Sequence, residues 1–470
     1  MNDTPAAKDR IGALFTGYTL TAILGLVILH EWGAGPIYGN IAAVLSAAAI
    51  AGMALRVGWT RWIFVVVGLV LTVAVIVLDP EWLGSVGKGL RTAAFIGAFF
   101  TALASLRHAA DTSKAITTCG QFLAEQPPGR RYAALTLGGN LFGLLLSYGA
   151  IALLGSLAMN SAKQEENAEI RGHRERRMLL AIQRGFVATL PWSPLAFSMA
   201  ISLSLVPGAT WAGAFLPCLV SGFIVAGIGW GLDTVFKPKL TPGVRAIWKK
   251  PEGSWRSLRP LVGLLFLLVI SVGGLHLFTG IRAVGVVIVV VPIIATVWIM
   301  IQTGAEDRIR TSAGRLRTYI TRDLSGYRGE LVLLMMAGYI GSVGSALLAP
   351  VVAASGVDLS GLPVWVILVA LIWIIPLTGQ VGMNPILSVS LIAPMLPDAA
   401  SLGITPANIV MAITAGWSLT GASSPYTATT LLIGSFGRVS ASHVGLRWNG
   451  AYILICGLVL SGWVVLVAGL

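Results

Sequence analysis

The chain has 470 residues, of which 56% are apolar and 11% charged, and its mean hydropathy is +0.84. That balance excludes an ordinary soluble domain and marks an all-α polytopic membrane protein. The formal net charge of +13 does not point to nucleic acid, because Lys and Arg cluster in short loops between apolar runs, as the positive-inside rule requires.

In chain order, the apolar runs predict about eleven spans, at about 12–29, 36–53, 62–78, 88–106, 180–206, 211–231, 259–279, 283–301, 330–350, 406–436 and 449–468. The first follows Lys8 and Arg10 and has no convincing small-residue cleavage site after it, so it reads as a retained span rather than a signal peptide. Two further apolar stretches, about 132–158 and 362–396, read as re-entrant hairpins. Charge supports this layout. With the N-terminus in the cytoplasm, the loops carrying Arg56 and Arg61, Arg107 to Arg131, Lys163 to Arg177, Lys237 to Arg259, Arg308 to Arg328 and Arg438 to Arg447 all fall inside. The connections at 79–81, 207–210, 355–361 and 397–405 fall outside and carry almost no Lys or Arg. The agreement holds only if both hairpins return to the side they entered from. Polar stretches at about 108–127 and 306–327 are candidates for interfacial helices; Arg308, Arg315 and Arg322 recur every seven residues in the second.

The chain then divides into an N-terminal span (1–35), a first repeat (36–231), a cytoplasmic linker (232–258) and a second repeat (259–470). Each repeat has three spans, a hairpin, a broken span and a final span. An odd number of crossings separates equivalent elements, so the repeats are inverted, the pattern of a secondary transporter. Pro194 to Trp230 is 36 residues and Pro425 to Trp463 is 38.

The expected substrate-binding residues lie at the hairpin tips and the helix breaks. Gly139 and Asn140 are assigned to the first tip, Gly382 and Asn384 to the second. Glycine permits a tight turn, and Asn offers both a donor and an acceptor group there. Ser193 and Pro194 break the first broken span; Ser423, Ser424, Pro425 and Thr427 break the second. Proline removes amide donors, and backbone broken at membrane depth is tolerated only where it lines a cavity or protein interior. Helix N-termini freed there point partial positive charge at an anion. No Asp or Glu lies well inside any expected span, which argues against a carboxylate proton relay and for an anion held by amides and hydroxyls. Arg184 stands close enough to the end of its span to reach the interface. No nucleophile elbow, phosphate-binding glycine motif or metal-ligand set appears, and Cys119, Cys218 and Cys456 form no spaced set, so an enzyme is not expected.

With these residues in place, the chain resembles the ion transporter superfamily: divalent anion/sodium symporters, citrate transporters, arsenite permeases and the large membrane subunits of TRAP transporters. The divalent anion members carry Ser-Asn-Thr at each hairpin tip. Here Asn140 and Asn384 match, whereas Gly139 and Met383 replace Ser and Leu141 and Pro385 replace Thr. Ser193-Pro194 and Ser424-Pro425 fall where the family has its unwound segments. The resemblance implies a homodimer in the bacterial inner membrane that carries a small anion, an organic carboxylate, by an elevator-type mechanism. It places sodium between each tip and its break as the coupling ion. The alternatives are an exporter of a toxic oxyanion, a TRAP-like subunit, and a passive channel.

Overall fold

A computed structural model describes residues 7–238, 240–242, 253–303, 308–354 and 361–470, and no strand occurs among them. The helices are α1 (Ala7–Glu31), α2 (Pro36–Ala54), α3 (Trp59–Leu78), α4 (Trp82–Asp111), α5 (Lys114–Ala124), α6 (Pro128–Leu146), α7 (Gly149–Lys163), α8 (Ala168–Val187), α9 (Phe197–Leu205) and α10 (Trp211–Val235). They continue as α11 (Arg259–Thr279), α12 (Ala283–Gln302), α13 (Arg308–Thr318), the single turn α14 (Leu324–Gly326), α15 (Arg328–Ala354), α16 (Val364–Gln380), α17 (Pro385–Ile392), α18 (Pro406–Ser423), α19 (Ala428–Gly437) and α20 (Gly450–Val467). Among the described residues, nine segments are long and apolar enough to cross a membrane: α1–α4, α10–α12, α15 and α20. The broken pairs α8–α9 and α18–α19 complete the eleven expected spans. Part of the expected linker (239 and 243–252), most of the connection at 355–361 and the start of the second amphipathic stretch (306–307) lie outside the described residues, as do residues 1–6 of the expected N-terminal span.

Two compact units are present, and each draws on both halves of the sequence. The first comprises Met1–Thr112, Leu268–Asp358 and Ile386–Leu396; the second comprises Ser113–Leu267, Leu359–Pro385 and Pro397–Leu470.

In the first unit α4 and α15 are each the third span of their half, and they pack antiparallel. A Cβ at Gly89 would meet Val343, and one at Gly97 would meet Met335. A helix antiparallel to its own counterpart is what an inverted repeat produces. Residues Ile386–Leu396 join this unit through α15, where Gly341 faces Ser390 and Gly344 faces Leu391.

In the second unit α6 and α7 form the first hairpin, and α16 supplies one arm of the second. Local sequence sets the starts of its helices. The Asn167 side chain accepts from the amides of Glu169 (2.9 Å) and Ile170 (3.1 Å) at the head of α8. Thr405 and Asn408 form a capping box before α18, with Pro406 in the first turn. Helix α6 packs closely on α8 because small residues let the backbones touch. A Cβ at Gly139 would run into the Ile182 carbonyl and one at Gly185 into the Thr136 carbonyl. The mirror pair, α16 on α18, makes the same crossing at Gly416, whose Cβ would lie 2.8 Å from the Leu371 oxygen. The amphipathic stretches are helical: α5 buries Ile116, Phe122 and Leu123, while α13 buries only Ser312.

Candidate functional site

The two helix breaks of the second unit are built alike. Pro194 and Pro425 are 231 residues apart, and this offset superposes the hydrogen bonds of one break on those of the other. The Ser193 amide donates to the Thr189 carbonyl at 3.1 Å; the Ser424 amide donates to the Thr420 carbonyl at 2.9 Å. The Ser193 hydroxyl accepts from the Leu195 amide at 3.1 Å, and the Ser424 hydroxyl from the Tyr426 amide at 3.3 Å. The Ser198 hydroxyl donates back to the Leu190 carbonyl, and the Thr429 hydroxyl to the Gly421 carbonyl. These hydroxyls take the place of amides that the prolines and the unwinding remove, so the breaks stay satisfied at depth. One pair of counterparts bonds directly: the Ser418 hydroxyl donates to the Val187 carbonyl at 2.8 Å, a separation of 231 residues.

Removing the Thr429 hydroxyl leaves the buried Gly421 carbonyl unserved, and removing the Ser198 hydroxyl leaves the half-buried Leu190 carbonyl unserved. Thr429→Val, which keeps the shape, is expected to lower stability by about 1–3 kcal/mol, measured as the unfolding midpoint in detergent. Ser198→Ala is expected to behave the same way.

The hairpin tips are less alike than the sequence suggests. The second tip is at residues 381–384, where Gly382 takes φ +89° and lies under the Tyr426 ring. Asn384 is half-buried in that tip. The Ser424 hydroxyl also donates to the Gly379 carbonyl (2.6 Å), and the Gln380 amide donates to the Ser423 hydroxyl (3.3 Å), which tie the tip to its break. Pro425 and Thr427 are half-buried, with the Thr427 hydroxyl within 3.0 Å of the Ser424 carbonyl and of the Thr429 and Thr430 hydroxyls.

The first tip is not at Gly139-Asn140. Both residues lie inside α6, and the turn falls at Ser147, with φ 50° and ψ −133°. The Gly138-Gly139 pair serves helix contact instead of a turn, since a helix interior tolerates glycine where another backbone approaches. Asn140 is half-buried with its amide 3.5 Å from the Gly185 carbonyl. Nor are Asn140 and Asn384 counterparts. Gly143 faces Thr189 as Gly379 faces Thr420, which aligns Asn140 with Pro376 and Asn384 with the tip residue Tyr148.

Around the first tip, Ser147, Tyr148, Phe186, Thr189, Ser193 and Trp417 line a cavity of about 30 Å³, about the share of one water. Ser193 is buried here, and Pro194 is buried beside it. The sequence analysis missed Ser147, Tyr148 and Trp417. The polar Ser147-Tyr148 step inside the apolar run 141–158 was the available signal. It also missed Ser198, Ser418 and Gln380.

Arg184 corrects a second expectation. It does not reach an interface: it is 5% exposed, in the interior of the second unit. Its guanidinium donates to Asn449 (3.0 Å), Tyr132 (3.1 Å) and the Trp448 carbonyl (3.3 Å), and stacks 4.4 Å from the centre of the Tyr452 ring. Asn449, fully buried, donates to Gln183 at 3.0 Å. The counterparts of Gln183 and Asn449 are Thr414 and Cys218, which touch at 3.8 Å. The same offset therefore extends from the breaks into the packing of α10 and α20.

The site thus offers hydroxyls, amides, carbonyls and aromatic faces, with no carboxylate. Among the described residues no group of three His, Cys, Asp or Glu could hold a metal.

No protein-family model matches the sequence, and no curated protein sequence does. Solved structures do match. The crystal structure of the YdaH transporter of Alcanivorax borkumensis aligns over 86% of this chain and 98% of its own, with a TM-score of 0.57 at 18% identity. MtrF of Neisseria gonorrhoeae, described as illuminating a class of antimetabolite efflux pumps, aligns over 89% of this chain and 97% of its own, with a TM-score of 0.54 at 14% identity. The fold is that of polytopic membrane transporters.

Proposed function

We propose that the chain is a secondary active transporter of a small organic anion, a carboxylate. The observation that carries this reading is the pair of matched half-sites, each a hairpin tip set against a helix break whose carbonyls and amides are held by hydroxyls. Helix α19 begins at the second break, and its N-terminal amides point partial positive charge at the position an anion would take. Sodium, the coupling ion of this reading, sits between tip and break, where unwound carbonyls gather. The kinship with the divalent anion/sodium symporters belongs to the same reading: the second unit is the carrier and the first the scaffold of an elevator, in a homodimer of the bacterial inner membrane. Export is the second reading, favoured by the efflux function described for MtrF.

Asn384→Leu is expected to abolish transport of the substrate in proteoliposomes while leaving the unfolding midpoint within a degree or two of wild type. Retained transport sinks the assignment of the second tip. The substrate class is read from thermal stability against carboxylates and oxyanions, each in sodium or potassium, since a ligand of the folded state raises stability with the logarithm of its concentration. A carboxylate that acts only with sodium supports the symporter. An oxyanion acting alone moves the reading to export.

A further inference from the structure

Apart from the breaks, the second unit holds a basic cavity of about 140 Å³ where the first turn of α6 meets the first half of α8. Arg131, Tyr132, Glu165, His173, Arg174 and Arg177 line it. Arg177 is neutralised: its fork grips Asp233 through Nε–Oδ1 at 2.8 Å and Nη2–Oδ2 at 2.6 Å. The other two guanidiniums are not. Among the described residues neither Arg131 nor Arg174 forms a salt bridge. Among the described residues, Arg131 donates to the Gln126 carbonyl (2.7 Å) and Arg174 to the Ser161 hydroxyl (2.7 Å). The Arg174 Nε is buried and has no hydrogen-bond partner among the described residues. A buried donor left unserved is costly, and a buried cation more so.

Burial pushes Arg131 down to about 10, with Arg174 and Arg177 adding to the shift and Glu165 opposing it. Arg174 is lowered by burial as well. Both keep their charge at neutral pH, so the cavity concentrates positive charge that an incoming anion would relieve.

We propose that this cavity binds the phosphate group of an anionic ligand, gripped by the Arg131 and Arg174 guanidiniums with His173 beside them. Glu165 lines the cavity but bonds to neither fork among the described residues; the two forks offer more donors than the two oxygens of a carboxylate take up, whereas a phosphate presents enough oxygens for both. The space is about that of four or five waters, enough for a phosphate and its ester link. The source is either the headgroup of an anionic phospholipid or a free phosphate. Either would tie the foot of α6 to α8, and these two helices carry the first hairpin and the first break. The ligand would therefore stiffen the half-site from a distance without entering it.

The test uses the full-length protein in neutral detergent at fixed ionic strength. Inorganic phosphate and short-chain phosphatidylglycerol are titrated separately, with short-chain phosphatidylcholine as control, and the unfolding midpoint is read. Wild type is expected to be stabilised by phosphate, by phosphatidylglycerol or by both; phosphatidylglycerol alone identifies a lipid site, and phosphate identifies a soluble ligand. Arg131→Gln/Arg174→Gln is expected to weaken that binding about tenfold or more. Arg130→Gln, which removes an exposed charge next to the cavity, is expected to leave it unchanged. If the double variant does not fold, Arg174→Lys takes its place, keeping the charge and losing the fork; it is expected to bind about threefold or more weakly. The proposal is overturned if neither probe stabilises wild type, if phosphatidylcholine acts equally, if Arg130→Gln weakens binding as much, or if the cavity variants bind as wild type does.

Discussion

Arg184→Met is expected to lower the unfolding free energy by about 3 kcal/mol or more, because it orphans several buried acceptors at once. The guanidinium serves Asn449 Oδ1, the Tyr132 hydroxyl and the Trp448 carbonyl, and the first two are shut off from solvent that could replace it. The ring of Tyr452 loses its cation as well. Methionine keeps the length of the stem and removes the guanidinium head. Arg184→Lys keeps the charge but reaches one acceptor at a time, and is expected to fall between the two. The measurement is the reversible unfolding midpoint in detergent, followed by tryptophan fluorescence. A Met variant within about 0.5 kcal/mol of wild type, the range of an ordinary surface change, would show that the network is not needed for the packing of α8 on α20.

The second large effect is at the helix crossing. Gly185→Ala is expected to lose about 2 kcal/mol or more, since the added methyl meets backbone rather than a side chain that could turn away. The obstacle is the Thr136 carbonyl of α6. Gly416→Ala, at the equivalent crossing of α16 and α18, is expected to lose less, because its nearest atoms are 2.8 and 2.9 Å away. Gly227→Ala is the control: it sits in α10 with nothing within 4 Å, so better helix propensity is expected to leave stability equal or up to about 1 kcal/mol higher. Thermal unfolding of the three variants side by side decides it. If Gly185→Ala and Gly227→Ala behave alike, the backbones of α6 and α8 can part at no cost.

The spans, the two hairpins and the two breaks were legible because each has a composition signal: apolar length, charge in the intervening loops, and proline beside hydroxyls. The first tip was not, because Gly-Gly-Asn has two uses. In residues 138–140 the glycines admit a neighbouring helix, while the turn seven residues later is made by Ser147, which carries no glycine signal. Pairing Asn140 with Asn384 followed from residue identity, but the real correspondences join unlike residues: Ser198 with Thr429, Gln183 with Thr414, Cys218 with Asn449. What persists between halves is the hydrogen bond, and a hydroxyl at the right offset supplies it whether it belongs to Ser or Thr. Arg184 was misplaced because distance from a span end does not say which way a side chain points; the polar partners that draw it inward come from residues about 265 positions away.

The bond from Ser418 to Val187 joins a residue to its own counterpart, so a rotation axis relating the two halves would pass through it. A hydrogen bond has a direction, with one proton between one donor and one acceptor. Rotation by half a turn would swap donor and acceptor, so two identical subunits could not both make this bond at the same place. Encoding the halves separately in one chain removes that conflict: one side carries the hydroxyl and the other needs only its carbonyl. The same freedom lets a lone cation occupy position 184 opposite Ala415. A homodimer assembled from either half alone would meet two hydroxyls or none at the axis, and two like charges or none beside it. Covalent fusion thus allows an interior that is symmetric in outline and unpaired at its centre.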